Sequence, residues 1–162
     1  MPKVHNYSAG PCILPQEVLQ QAAEAVVNFN DLNLSLLEIS HRSKDFVEVM
    51  ENARALVKEL LDVPEGYQVL FLQGGASLGF LIAAYNFLPM GEKAAYINTG
   101  TWSDKAIKEA QRLGDVIEVA SSKEKNYSYI PSGFGIPNDA KYLHYTSNNT
   151  IFGTQFKTTP VS

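Results

Sequence analysis

The sequence predicts an α/β fold with a largely parallel sheet flanked by helices. Three observations carry this. Short apolar runs alternate with stretches of helical periodicity at the spacing of strand–helix–strand units. The run Val69 to Leu72 is continuously apolar, as suits a strand buried on both faces. It runs directly into Gln73-Gly74-Gly75-Ala76-Ser77 and then the helical-looking Leu78 to Tyr85, the geometry that aims free backbone N–H groups and a partial positive charge at an anion.

The elements follow in chain order. Asn6 to Pro15 reads as irregular, broken by Gly10-Pro11, with Pro15 suited to the first turn of a helix. Pro15 to Asn28 reads as that helix, its inward face made by Val18, Ala22 and Val26 with Leu19, Ala23 and Val27. Asn28 to Asn33 breaks it, and Leu34 to Ser43 is a polar connector. A second helix is expected from about Lys44 to Leu61, with Ser43 as N-cap and Phe46, Val47, Met50, Val57, Leu60 and Leu61 inward. Pro64-Glu65-Gly66 ends this unit, which places a division between residues 1–67 and 68–162. After the glycine turn and its helix, strands are expected at Ala94 to Asn98, Val116 to Ala120 and Tyr142 to Thr146. A helix from Ser103 to Leu113 lies between the first two, with Ala106, Ala110 and Leu113 inward and Gly114 as C-cap. Residues 121–140 read mostly as loop, and there are no internal repeats.

Composition narrows the function classes. The 162 residues carry a net charge of -4 and no basic stripe, which argues against a nucleic-acid binder. No apolar run is long enough to span a membrane, and Met1 to Asn6 has no apolar signal core, so a cytoplasmic protein is the expectation. Cys12 is the one cysteine, and His5, His41 and His144 are scattered, so no metal site is expected.

Ligands of open α/β sheets bind beyond the carboxyl ends of the strands. Three turns there are rich in small hydrogen-bonding residues: Gly74 to Ser77, Thr99 to Trp102 and Ser147 to Thr150. The first offers N–H donors and a hydroxyl to a phosphate, although it matches neither the dinucleotide fingerprint nor the P-loop. It is also compatible with a plain connection whose glycines allow close packing. Trp102 could stack on a planar ring or pack beside Ala106 and Ala110. Thr150 could reach a ligand oxygen or bond its own backbone. Arg42, beside His41, could grip a carboxylate with its fork of donors or be a solvated side chain.

Taken in order, five stretches resemble a known pattern. They are Asn6-Tyr7-Ser8-Ala9-Gly10-Pro11, Glu38-Ile39-Ser40-His41-Arg42-Ser43, Gln73-Gly74-Gly75-Ala76, Gly100-Thr101-Trp102 and Asn149-Thr150-Ile151 with Gly153. Over essentially the whole chain the sequence resembles the phosphoserine aminotransferase family, class V pyridoxal-phosphate enzymes of the aspartate-aminotransferase fold (fold type I). The resemblance implies that residues 68–162 are the first part of the cofactor-binding large domain. It implies pyridoxal 5'-phosphate as cofactor, with Ala76 and Ser77 on its phosphate, Trp102 stacked on its ring and Thr150 on the ring's phenolic oxygen. His41 and Arg42 would bind substrate, Arg42 taking the α-carboxylate. The implied reaction exchanges an amino group between L-glutamate and 3-phosphohydroxypyruvate, giving O-phospho-L-serine and 2-oxoglutarate in serine synthesis. A homodimer and a part in pyridoxine synthesis are further implications.

Two departures stand out. Many members of the family have a third glycine and often arginine or cysteine where this chain has Ala76-Ser77. The family also places its Schiff-base lysine, its ring-nitrogen aspartate and a ring-flanking glutamine beyond the stretch matched here. None of the ten lysines of this chain occupies that motif. A fragment of the enzyme, inactive alone, is therefore the expectation. Two alternatives are a phosphate- or nucleotide-binding module without chemistry and a truncation product that cannot fold.

Overall fold

The computed structural model describes residues 4–160, which divide into two compact units, Met1–Phe71 and Leu72–Ser162.

In the first unit, helix α1 spans Gln16–Val27 and α2 spans Lys44–Leu60. Pro15 stands just outside α1 as its N-cap, not within the first turn, at φ -55 and ψ 144. The α1 helix ends at Asn28, whose side-chain oxygen accepts from the Asn33 backbone N–H at 2.8 Å. A single turn of 3-10 helix, Phe29–Asp31, follows and buries Phe29. Ser43 caps α2 as its residue type predicts: its Oγ accepts from the Phe46 N–H at 3.4 Å.

The apolar stripe expected to face inward from α1 is exposed instead, and no α1 residue is buried. On α2, Phe46, Met50 and Val57 are half-buried, whereas Val47, Leu60 and Leu61 are exposed. An apolar stripe records what a helix is built to bury; among the described residues that of α1 is left open and that of α2 is only partly covered.

The expected strand at Val69 to Leu72 does not form. Residues 67–72 carry no regular secondary structure, and Leu70, Phe71 and Leu72 are 66%, 50% and 65% exposed. A strand exists through its ladder of bonds to a neighbour, and no described strand pairs with this run.

The second unit is built on three parallel strands. They are β1 (Lys93–Asn98), β2 (Asp115–Ser121) and β3 (Ala140–His144), in the order β2-β1-β3. The central strand β1 is buried from Ala94 to Asn98, as befits a parallel strand covered on both faces. Helix α3 (Gly75–Phe87) precedes β1, and α4 (Thr101–Ala110) connects β1 to β2. The core gathers Ala84 and Leu88 at the end of α3, Ala94 and Tyr96 of β1, and Ala106, Ile107 and Ala110 of α4. Phe80, Leu113, Val116 and Tyr142 pack around it. The small residues let helix and strand approach closely, so the inward set expected for α4 holds.

Among the strands and α4, boundaries shift by two residues or more at α4 and β3. The α4 helix starts at Thr101 and is closed by Gln111 rather than Gly114, and β3 lies two residues earlier than Tyr142 to Thr146. Residues 145–147 lead into a small antiparallel hairpin, β4 (Asn148–Asn149) with β5 (Thr154–Gln155). No helix is long and apolar enough to cross a membrane, among the described residues.

Candidate functional site

Three features of the second unit bear on a ligand site. The first is the turn into α3. Gly74 is the N-cap at φ +96, and a Cβ there would lie 2.5 Å from a Leu78 side-chain carbon. Backbone angle and packing therefore both require glycine. The cap supplies no side-chain acceptor, and the backbone N–H groups of Gly75, Ala76 and Ser77 bond no described group outside the helix. These are the orphan donors of a helix start, and all three residues are exposed.

The second feature is the start of α4. Trp102 is half-buried and lies outside the core cluster around Ala106 and Ala110. Its indole Nε1–H donates to Thr150 Oγ1 at 2.9 Å, and the Lys105 ammonium sits over its ring at 4.9 Å from the centroid. So Trp102 and Thr150, 48 positions apart in sequence, are brought together.

The third feature fixes this pair and was not legible as a site. Thr99, Ser103 and Asn149 are buried polar residues joined side chain to side chain. Asn149 Nδ2 donates to Thr99 Oγ1 at 3.0 Å, Thr99 Oγ1 lies 3.2 Å from Ser103 Oγ, and Ser103 Oγ donates to Thr146 Oγ1 at 3.0 Å. Ser103 Oγ also accepts from the Thr99 N–H at 3.2 Å. The network ties the end of β1, the first turn of α4 and the turn after β3 into one block. Buried polar groups joined in this way favour a single arrangement. The only trace in the sequence is an excess of Ser, Thr and Asn in turns, which local capping explains equally well.

Gly100 is packed closely against that block. A Cβ on Gly100 would meet Asn149 Oδ1 at 2.5 Å and Phe152 Cδ2 at 3.1 Å. Asn149 cannot swing aside without breaking its bond to Thr99. We therefore expect Gly100→Ala to cost about 1–3 kcal/mol, the usual range for overpacking. A chemical denaturation curve of the full-length protein checks this, and an unshifted midpoint would mean that Asn149 repacks freely.

Deeper in the sheet, His144 stacks on Tyr96 with ring centroids 4.8 Å apart and meets the Phe80 ring edge-on. Burial lowers the His144 pKa, so the ring is held neutral. Burial first, and then the hydrogen bond to the Tyr142 hydroxyl at 2.7 Å, raises the Tyr96 pKa. The Tyr96 phenol is therefore held in its protonated form at neutral pH.

His41 and Arg42 belong to the first unit. Their backbone forms a tight turn: Ser40 Oγ accepts from the Arg42 N–H at 3.1 Å, and Ser40 O accepts from the Ser43 N–H at 2.9 Å. Both side chains are exposed, and Arg42 forms no ion pair among the described residues. The turn thus holds the backbone while leaving the guanidinium fork available.

Comparison with known proteins gives consistent findings. The family model described as Aminotransferase class-V matches residues 4–162. The chain is 63% identical over 159 residues to the phosphoserine aminotransferase of Flavobacterium psychrophilum, covering 98% of this chain and 45% of that protein. Among solved structures, phosphoserine aminotransferase from Bacillus circulans subsp. alkalophilus superposes with a TM-score of 0.89 at 43% identity, over 98% of this chain and 44% of that one. The PLP-bound phosphoserine aminotransferase from Trichomonas vaginalis gives a TM-score of 0.88 at 34% identity, over 99% and 46% of the two chains. The chain therefore spans a little under half the length of the relatives it matches.

Proposed function

This chain belongs to the aminotransferase class-V family, and from that premise we propose that it is the N-terminal part of a phosphoserine aminotransferase that uses pyridoxal 5'-phosphate. The reaction is exchange of an amino group between L-glutamate and 3-phosphohydroxypyruvate, giving O-phospho-L-serine and 2-oxoglutarate. The observation that carries the reading is the Trp102–Thr150 contact, in the same unit as a helix start with free N–H donors. It puts a flat aromatic face, a hydroxyl and an anion-binding turn within one unit. A solvated arginine or a packed tryptophan would not need this combination.

The residues present fit the cofactor. The N–H groups of Gly75, Ala76 and Ser77 suit a phosphate dianion at a helix N-terminus. The Trp102 indole, which lies outside the core cluster, offers a flat aromatic surface for a planar ring. Thr150 offers a hydroxyl to that ring's edge. When bound, pyridoxal phosphate supplies the electron sink that amino transfer requires. The residues of this chain bind and orient; the groups that handle the proton and the covalent link to the cofactor belong, by the family pattern, to residues beyond this stretch. His41 and Arg42 take the substrate, with the Arg42 fork on its α-carboxylate. A homodimer, a cytoplasmic location and a contribution to pyridoxine synthesis belong to the same proposal.

The test is an assay of the full-length protein, loaded with pyridoxal phosphate, for glutamate-dependent formation of phosphoserine. In the same assay Arg42→Lys keeps the charge and loses the fork. Its rate is expected to fall about 10-fold or more with both substrates, since a hydrogen bond to a charged group contributes roughly 1.5–3 kcal/mol. Unchanged kinetics with glutamate would remove Arg42 from the site. Binding of the cofactor with no turnover would favour the reading as a binding module.

A further inference from the structure

The hydrogen bond between Trp102 and Thr150 has a fixed direction. Indole Nε1–H donates and cannot accept, so across the 2.9 Å contact Thr150 Oγ1 is the acceptor. A hydroxyl has a single proton. With a lone pair of Thr150 facing the indole, that proton points away from Trp102, and no described residue receives it.

Both ends of the contact are anchored. The indole stands on the first turn of α4, which Ser103 ties to Thr146. Thr150 follows Asn149, which is 2% exposed and bonded to Thr99, and whose backbone carbonyl accepts from the Gly153 N–H at 2.7 Å. The pairing is therefore a property of the folded block and not of two freely turning side chains.

We propose that the Trp102 N–H is a positioning group that sets the polarity of Thr150, holding its hydroxyl proton toward an anionic oxygen on the rim of a ring stacked on the indole. This rests on the reading above that the pyridoxal phosphate ring lies on Trp102. Trp102 then has two separable functions: its face supports the ring, and its N–H makes Thr150 a donor. A donor bonded to the charged form of a group favours that form. Removing the N–H frees the hydroxyl to turn, weakens its donation and raises the pH at which the bound cofactor changes protonation state.

The experiment replaces Trp102 in the full-length protein with β-(3-benzothienyl)alanine, which keeps the two-ring face and substitutes sulfur for N–H. Trp102→Phe gives the same reading with a smaller face if the sulfur analogue is not accommodated. The readout is the pH midpoint of the bound cofactor's visible absorption. It is expected to rise, by no more than the roughly 1–2 pH units that a charged hydrogen bond amounts to, while the cofactor stays bound. Thr150→Val should raise it by a similar amount, and the double variant should add nothing further. An unmoved midpoint without the N–H, when Thr150→Val does move it, overturns the proposal, and so do strictly additive effects. Trp102→Ala separates the two levels: wild-type cofactor affinity in that variant would overturn the stacking itself, whereas loss of affinity with an unmoved midpoint in the sulfur analogue would overturn only the positioning role.

Discussion

Ser77→Asp in the full-length protein is expected to weaken cofactor binding by about three orders of magnitude while leaving the fold intact. Ser77 is exposed in the first turn of α3, where no side chain caps the free N–H groups. An aspartate there interacts favourably with the helix dipole, by roughly 0.3–1 kcal/mol. The same carboxylate can occupy the N–H donors that the cofactor phosphate needs. It also stands against that phosphate, and two like unit charges about 4 Å apart repel by about 4 kcal/mol at the effective dielectric of a protein surface, or roughly a thousand-fold in affinity. Helix stability and cofactor affinity therefore move in opposite directions, which a general disruption would not produce. Ser77→Ala removes the hydroxyl, keeps every backbone donor and should lose less, roughly 10- to 100-fold. Equilibrium titration with pyridoxal phosphate and a far-ultraviolet melt of both variants check this. Tight retention of the cofactor by Ser77→Asp would remove the turn from the phosphate site.

Which features could be read from the chain depended on the range of the interaction that fixes them. The β1 strand announced itself because Ala94 to Ile97 form a continuous apolar run, and the structure buries each of them. The α4 core face was legible because Ala106 and Ala110 are one helical turn apart. Val69 to Leu72 offered the same kind of signal and failed, because an apolar run specifies burial and only a neighbouring strand supplies the ladder. The stripe of α1 failed for a related reason: Val18, Leu19 and Val26 mark a face, and periodicity does not say what meets it. At the site, the glycine turn was visible from local backbone demands, since Gly74 must adopt positive φ. The link between Trp102 and Thr150 was not, because it depends on how the turn after β3 comes to lie beside the start of α4. The buried group of Thr99, Ser103 and Asn149 was hidden twice over. Its members lie just after β1, in the first turn of α4 and in β4, and each residue type has an adequate local explanation.

A polypeptide of residues 1–162 by itself is expected to show no amino transfer and to self-associate. The argument for inactivity is chemical. On the function proposed above, the chain offers a phosphate turn, a stacking face, a hydroxyl and one substrate arginine, all of which recognise or orient. None of its ten lysines stands in the family's cofactor-linking motif, and the protein must provide such a lysine and an acidic partner for the ring nitrogen before the ring becomes an electron sink. The argument for self-association is physical. Leu70, Phe71 and Leu72 are exposed together, Tyr85 and Phe87 of α3 are 76% and 66% exposed, and the apolar stripe of α1 is open. Among the described residues the β2 and β3 strands each have one neighbour, so the outer side of each carries unpaired backbone groups that can recruit another chain. Apolar surface of this kind is ordinarily covered or leads to association. Light scattering and a hydrophobic dye should report association and open apolar surface. Borohydride reduction with pyridoxal phosphate, followed by peptide mapping, should label no lysine stoichiometrically. A single lysine of this chain labelled one-to-one, together with measurable turnover, would overturn this division of labour, because recognition and covalent chemistry would then reside in the same 162 residues.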